Sequence, residues 1–290
     1  MSIVVTGASG HLGRLVIESL LARGVAAERI VAGTRDVAAL SPLAERGVEV
    51  RRIDFDDAAS LAAGFAGAEK VLIVSGTDFG RRVQQHVGAA TAARDAGVSL
   101  VVYTSAPYAD TTTMQLAAEH RGTEAGIRAL GVPFTFLRNG WYLENYTDRI
   151  PSYLQAGAVV GSAGDGRISA AARADYAEAA AAVLTSEGHE NTVYELGGDT
   201  SFTLSELAEL VAKHTGTPVE YRDVPQAELE TILAGAGLPE PIPAIMADVD
   251  RATREGLLQI DSRDLSRLIG HPTTPLSDAV TSASAAVATA

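Results

Sequence analysis

The stretch Val4-Val5-Thr6-Gly7-Ala8-Ser9-Gly10-His11-Leu12-Gly13 constrains the fold more than any other part of the chain. A β-branched run, three glycines at three-residue spacing and the start of an amphipathic helix succeed one another without a break. In a strand that turns directly into a helix, each glycine has a steric reason. Gly7 permits the tight turn, Gly10 lets the backbone approach a ligand, and Gly13 lets helix and strand pack. The free amides and positive end of the helix then suit a pyrophosphate. His11 lies within this loop, within reach of a phosphate. The spacing is G-x-x-G-x-x-G rather than G-x-G-x-x-G, and its weight comes from the rest of the amino-terminal half.

That half alternates β and α segments. Short apolar runs predict strands at Ile3–Thr6, Ile30–Thr34, Val48–Arg52, Val71–Ser75, Leu100–Thr104 and Phe134–Leu137. Between them, helices are expected over Leu12–Arg23, Ala38–Arg46, Leu61–Phe65, Arg81–Ala96 and Glu119–Leu130. Strands this short and apolar are buried on both faces, which a parallel sheet between helices requires. The expected class is α/β, a doubly wound parallel (Rossmann) sheet. After Arg138 the rhythm changes. Residues 139–160 read as aromatic and irregular. Helices come next at Asp175–Thr185 and Thr203–Thr215, the second opened by a Thr203/Glu206 capping box. Strands are expected at Val193–Leu196 and Pro218–Arg222, and an Ala/Ser-rich tail over 282–290 is expected to fray. The organisation read from this is a nucleotide-binding Rossmann domain over 1–138, completed by 168–198. Residues 139–167 and 199–290 form a smaller interleaved α+β substrate lobe.

Composition removes several classes. Lys+Arg 23 against Asp+Glu 36 gives a net charge of −13, which argues against nucleic acid or an anionic membrane as main partner. Cysteine is absent, so there is no disulfide, thiolate nucleophile or Cys-ligated metal. The first residues do not read as a targeting segment, and no apolar run approaches the ~18–20 residues that span a bilayer. A soluble cytoplasmic protein, monomer or homodimer, is expected.

Arg35 stands after the second strand, 22 positions beyond Gly13. An acidic residue there takes both ribose hydroxyls; an arginine meets a 2′-phosphate instead. NADPH is the expected cofactor, with NADH as the alternative because Asp36 stands beside the arginine. Asp54 and Phe55 end the third strand. They are placed either to meet an adenine or to serve as a loop carboxylate and a core ring. Ser75-Gly76-Thr77 end the fourth strand, where small residues leave room for the ribose and nicotinamide.

Many reductases of this class donate a proton from a Tyr-x-x-x-Lys pair. The chain's two lysines, Lys70 and Lys213, are preceded four residues earlier by Ala66 and Glu209, so the pair is absent. In the expected helix the two places hold Leu116 and His120. An acceptor that needs no strong protein acid fits better, and a quinone is one: hydride addition gives an aromatic anion that water protonates. Candidate groups facing it are Thr104, Ser105, His120, Asn139, Trp141 and Tyr142. His120 is open between donating to ligand and a structural role, Trp141 between covering a flat ligand and packing between lobes, and Asn139 between orienting a carbonyl and capping a turn. No metal-ligand spacing links the histidines, and neither metal nor flavin is expected.

With these residues in view the chain resembles the NmrA-like atypical short-chain dehydrogenase/reductases, in particular their NAD(P)H:quinone oxidoreductase type. The resemblance rests on Val5–Gly13, Leu137–Tyr146 (LRNGWYLENY), Ala163–Gly166, Arg173–Tyr176, Tyr194–Gly197 and Leu268–Thr273. It implies cofactor contacts at Gly7, Gly10, His11, Leu12, Arg35 and Ser75. It also implies a cleft at Tyr103, Thr104, His120 and Asn139 to Tyr142. Asp36 departs from the non-acidic residue usual after that arginine. Some relatives of this kind bind the nucleotide without turnover, so a redox sensor is the alternative to an enzyme.

Overall fold

The computed structural model describes residues 2–288, with side chains as far as 285. Seven strands form the central sheet: β1 (Ser2–Val5), β2 (Ile30–Thr34), β3 (Glu49–Arg52), β4 (Ala68–Ile73), β5 (Leu100–Ser105), β6 (Phe134–Asn139) and β8 (Thr192–Leu196). They lie in the order β3-β2-β1-β4-β5-β6-β8, all parallel, with Ile3 opposite Ile30 and Val5 opposite Leu72. The strand order therefore reverses at β1 and β4, and a crevice opens beyond their carboxyl ends. Strands β7 (Ala158–Gly161) and β9 (Glu220–Asp223) form a separate parallel pair.

Helices cover both faces of the large sheet, as burial of β2 and β5 along their whole length demands. On one side lie α1 (His11–Ala22), the one-turn α2 (Ser41–Ala44), α8 (Arg173–Thr185) and α12 (Asp264–Ile269). On the other lie α3 (Ala58–Phe65), α4 (Arg82–Asp95) and α5 (Ala117–Ala129). Val16, Ile17 and Leu20 of α1 are fully buried, and each such side chain contributes about 1.5–3 kcal/mol of transfer free energy. A third apolar cluster joins α6 (Glu144–Thr147), α7 (Ile150–Ala156), α9 (Leu204–Thr215), α11 (Ile242–Arg254) and α13 (Leu276–Ala288) around β7. Helix α10 (Gln226–Gly235) packs on α11.

Four local expectations change. The fourth strand stops at Ile73 instead of Ser75, because side-chain hydroxyls replace the ladder there. Val74 N–H donates to Thr6 Oγ1 (3.0 Å) and Ser75 N–H to Thr104 Oγ1 (2.8 Å). The helix expected over Ala38–Arg46 is a 3₁₀ turn, Val37–Leu40, and then α2, with Pro42 in its first turn. The irregular segment contains α6, α7 and β7, elements too short to show a helical or strand period. The tail is helical to Ala288, with Val280 buried against the third cluster. Residues 289–290 lie outside the described part.

Candidate functional site

A cavity of about 610 Å³ occupies the crevice at the reversal of strand order. Its floor is the loop between β1 and α1. Gly7 has φ +62°, in the left-handed region, and a Cβ on Gly13 would lie 2.4 Å from the Gly7 carbonyl oxygen. Both glycines are therefore required sterically. Gly10 N–H donates to Gly7 O at 2.9 Å, and no side chain caps α1, so its N-terminal amides face the cavity. A helix end of this kind attracts an anion. A larger groove of about 820 Å³ runs between α3 and α4, but alanines and an outer helix surface make most of its wall.

Arg35 stands at the rim with its side chain exposed and bonded to none of the described residues. Asp36 does not turn in. Its Oδ1 accepts from Ala38 N–H at 3.0 Å and caps the 3₁₀ turn, off the cavity wall. Asp54 lines the cavity with part of its carboxylate engaged by Arg52 (3.0 Å) and by Asp56 N–H (3.1 Å). Phe55 lies half-buried on the same wall, edge-on to His86 at 5.8 Å between ring centres.

Gly7, Gly10, His11, Leu12, Gly13, Arg35, Asp54, Phe55, Ser75, Gly76 and Tyr142 thus share one cavity. Thr104, Tyr103, His120 and Asn139 are not on its wall. Thr104 acts one layer back, accepting from Ser75 N–H and donating to Ser75 Oγ at 3.1 Å. Tyr103 is fully buried, with its hydroxyl 2.8 Å from His120 Nδ1 and 3.3 Å from His86 Nδ1. His120 is 5% exposed, and its Nε2 lies 3.3 Å from Arg82 Nη1. Burial, then the Arg82 and His86 charges, pushes its pKa down to about 3. Both ring nitrogens of His120 are thus engaged inside the wall, by Arg82 and Tyr103.

Asn139 ends β6 with its Oδ1 buried and, among the described residues, without a hydrogen-bond partner. Burial raises the Tyr142 pKa, so this phenol stays protonated and can donate. Arg173 lies over the Tyr142 ring at 5.3 Å, and Tyr176 meets it edge-on. Trp141 points the other way, into the third apolar cluster, which is the packing alternative of its two readings. Sequence reasoning did not single out Arg173, Gln85 or Asp78 as cavity residues. Arg173 lies within a stretch that carried the family resemblance, which was the one available signal. Among the described residues no group of His, Asp and Glu is arranged to hold a metal, and no helix is long and apolar enough to cross a membrane.

Comparison with known proteins gives a consistent result. Residues 1–265 match the NmrA-like family. Quinone oxidoreductase 2 of Escherichia coli K12 is 45% identical over 278 residues, 96% of this chain and 97% of the relative. The crystal structure of the E. coli NADPH-dependent quinone oxidoreductase complexed with NADPH superposes with a TM-score of 0.94 at 44% identity, covering 97% and 99% of the two chains. The Citrobacter sp. triphenylmethane reductase complexed with NADP(H) gives 0.92 at 40%, covering 98% and 100%.

Proposed function

Because this chain belongs to the NmrA-like family, we propose that it catalyses NADPH-dependent reduction of quinones or similar flat, conjugated acceptors. The observation that carries the reading is the pairing of the uncapped α1 terminus with Arg35, exposed at the rim of the same cavity, with Asp36 committed elsewhere. Likeness to a quinone oxidoreductase and to a structure that holds NADPH supports it.

The residues fit that cofactor. Gly7, Gly10, His11, Leu12 and Gly13 hold the pyrophosphate, Arg35 the 2′-phosphate, Asp54 and Phe55 the adenine, and Ser75 with Gly76 the ribose side. NADPH supplies a hydride when bound. The protein's part is to place and orient. Tyr142, on the cavity wall with its hydroxyl protonated, donates a hydrogen bond to an acceptor oxygen, and Asn139 stands beside it at the end of β6. Tyr103, Thr104 and His120 support the wall from behind. The reduced oxygen takes its proton from water, since no Tyr-x-x-x-Lys pair exists to give one. In this reading residues 1–138 with 168–198 bind the nucleotide, and 139–167 with 199–290 form the acceptor lobe. All the named groups lie on one chain, so a monomer or a homodimer in the cytoplasm suffices.

The test is to mix protein, NADPH and a small benzoquinone and track the absorbance of reduced cofactor against a protein-free control. Acceleration over the control is expected. No acceleration with any of several quinones rejects the reading, and NADPH binding without turnover would favour the redox sensor.

A further inference from the structure

Behind the cleft, Arg82, His86, Tyr103, His120 and Thr123 form a hydrogen-bond set in which a backbone amide and an arginine fix the proton positions on both imidazoles. Gly76 N–H donates to His86 Nε2 at 2.9 Å. That nitrogen is therefore unprotonated, and a neutral His86 carries its proton on Nδ1. Arginine only donates, so His120 Nε2 accepts from Arg82 and His120 carries its proton on Nδ1, 2.8 Å from the Tyr103 oxygen. The Thr123 hydroxyl donates to Glu119 O at 2.9 Å. His86 Nδ1–H lies 3.3 Å from both the Thr123 and Tyr103 oxygens. His86 is fully buried, and burial with the Arg82 charge pushes its pKa down to about 4, so it is neutral near pH 7.

The consequence reaches the cavity through one peptide bond. Among the described residues the only cis peptide is Glu240–Pro241, so Ser75–Gly76 is trans. In a trans peptide the N–H and the preceding C=O point in opposite directions. Gly76 N–H points inward to His86, so the Ser75 carbonyl points outward, and Ser75 and Gly76 both line the cavity. None of the described groups donates to that carbonyl. From the other side, Ser75 N–H is held by Thr104 and Gly80 N–H by Glu119 (2.9 Å), so the loop is pinned at both flanks.

We propose that His86 is a positioning residue for the nucleotide: its bare Nε2 draws the Gly76 amide inward and thereby presents the Ser75 carbonyl to the cleft as an acceptor for a ribose hydroxyl or a carboxamide N–H. This rests on the cavity taking NADPH. Without an acceptor at that point the peptide is free to flip, and the cleft then shows a donor where the ligand also offers one.

The experiment compares wild type, His86→Gln and His86→Leu by calorimetric titration with NADPH, with a thermal midpoint for each. Glutamine places a carbonyl oxygen where Nε2 was; leucine places nothing. About a tenfold loss of affinity is expected for the leucine variant, the scale of one hydrogen bond, with glutamine near wild type. Equal affinity in all three overturns the inference while the NADPH reading stands, as does a glutamine variant that loses as much as leucine. If leucine lowers the midpoint but leaves affinity unchanged, His86 is structural only and the proposal fails. A wild type that gives no heat overturns the NADPH reading, and the inference with it. Should the leucine variant not fold, His86→Asn replaces it, since its amide reaches only the Nδ1 position, and it should bind as weakly. Nitrogen-15 NMR of the wild-type imidazoles gives a variant-free check: a proton on His86 Nε2 refutes the assignment, and one on Nδ1 supports it.

Discussion

Arg35 and Asp36 are adjacent and oppositely charged, and the backbone sends them to different tasks. Arg35 is exposed at the rim of the cavity with no partner among the described residues, while Asp36 caps the next 3₁₀ turn. Arg35→Ala should weaken NADPH by about 1.5–3 kcal/mol, the scale of a charge-assisted hydrogen bond, and leave NADH nearly unchanged. Equal losses for both cofactors, measured by titration, would show that Arg35 does not meet the 2′-phosphate. Asp36→Ala should instead lower stability by roughly 1 kcal/mol through the lost cap and leave the NADPH/NADH ratio where it was. If that ratio rises several-fold, Asp36 faces the ligand after all. The sequence placed Arg35 by its spacing from Gly13, but it left the pair ambiguous, because the direction of Asp36 depends on a turn whose type propensity does not specify. His120 shows the same limit more sharply. Its place in the chain suggested a proton donor, but which face of α5 meets the cleft is decided by how α5 packs on α4 and β5.

Elements made of contiguous residues were the most legible part of this fold. The β–α alternation, the glycine loop and the capping box of α9 all depend on neighbours within a few positions, and the capping box is complete at Thr203 and Glu206. The network around Arg138 was not legible. It joins β6, α5, β8 and the loop after β5 through Glu124 (2.7 and 2.9 Å), Glu195 (2.8 Å) and Asp110 (2.9 Å). These residues are up to 57 positions from Arg138, beyond any local pattern. Arg138 and Glu124 are both nearly fully buried, and removing one member of such a pair strands the other. Glu124→Ala should therefore cost about 3 kcal/mol in urea unfolding, with little change in NADPH affinity for the fraction that folds. A cost below about 1 kcal/mol would mean that Glu195 and Asp110 compensate. At the centre of the sheet, beyond β1, Gly13→Ala should abolish NADPH binding, since its Cβ would meet the Gly7 carbonyl carbon at 2.8 Å and oxygen at 2.4 Å.

Taken as a whole molecule, the protein carries buried groups that pull stability in opposite directions with pH. His86 and His120 are held neutral in the fold, with pKa values pushed down to about 4 and about 3 by burial and then by the Arg82 charge. Unfolding returns each to about 6.5. Between those limits the unfolded chain binds protons that the folded chain refuses, so the histidine contribution is complete above pH 6.5 and is lost as pH falls towards 4. Asp250 has the other sign. Burial pushes it up to about 6 from 3.8, so the fold holds a proton the unfolded chain has released, and that contribution disappears as pH rises through 6. Two histidines oppose one strongly shifted carboxyl across the same window, and their slopes set the net direction: stability falls on acidification. His86→Gln removes one histidine slope, about 1.4 kcal/mol per pH unit. Urea unfolding of wild type should lose more stability between about pH 6.5 and 5 than the glutamine variant does, by roughly 2 kcal/mol. The Gln variant keeps the Gly76 hydrogen bond, so a difference between the two slopes reports the proton alone. Identical slopes would place the His86 pKa near its ordinary 6.5 in the folded protein, and the hydrogen-bond set behind the cleft would then have to admit a charged imidazole.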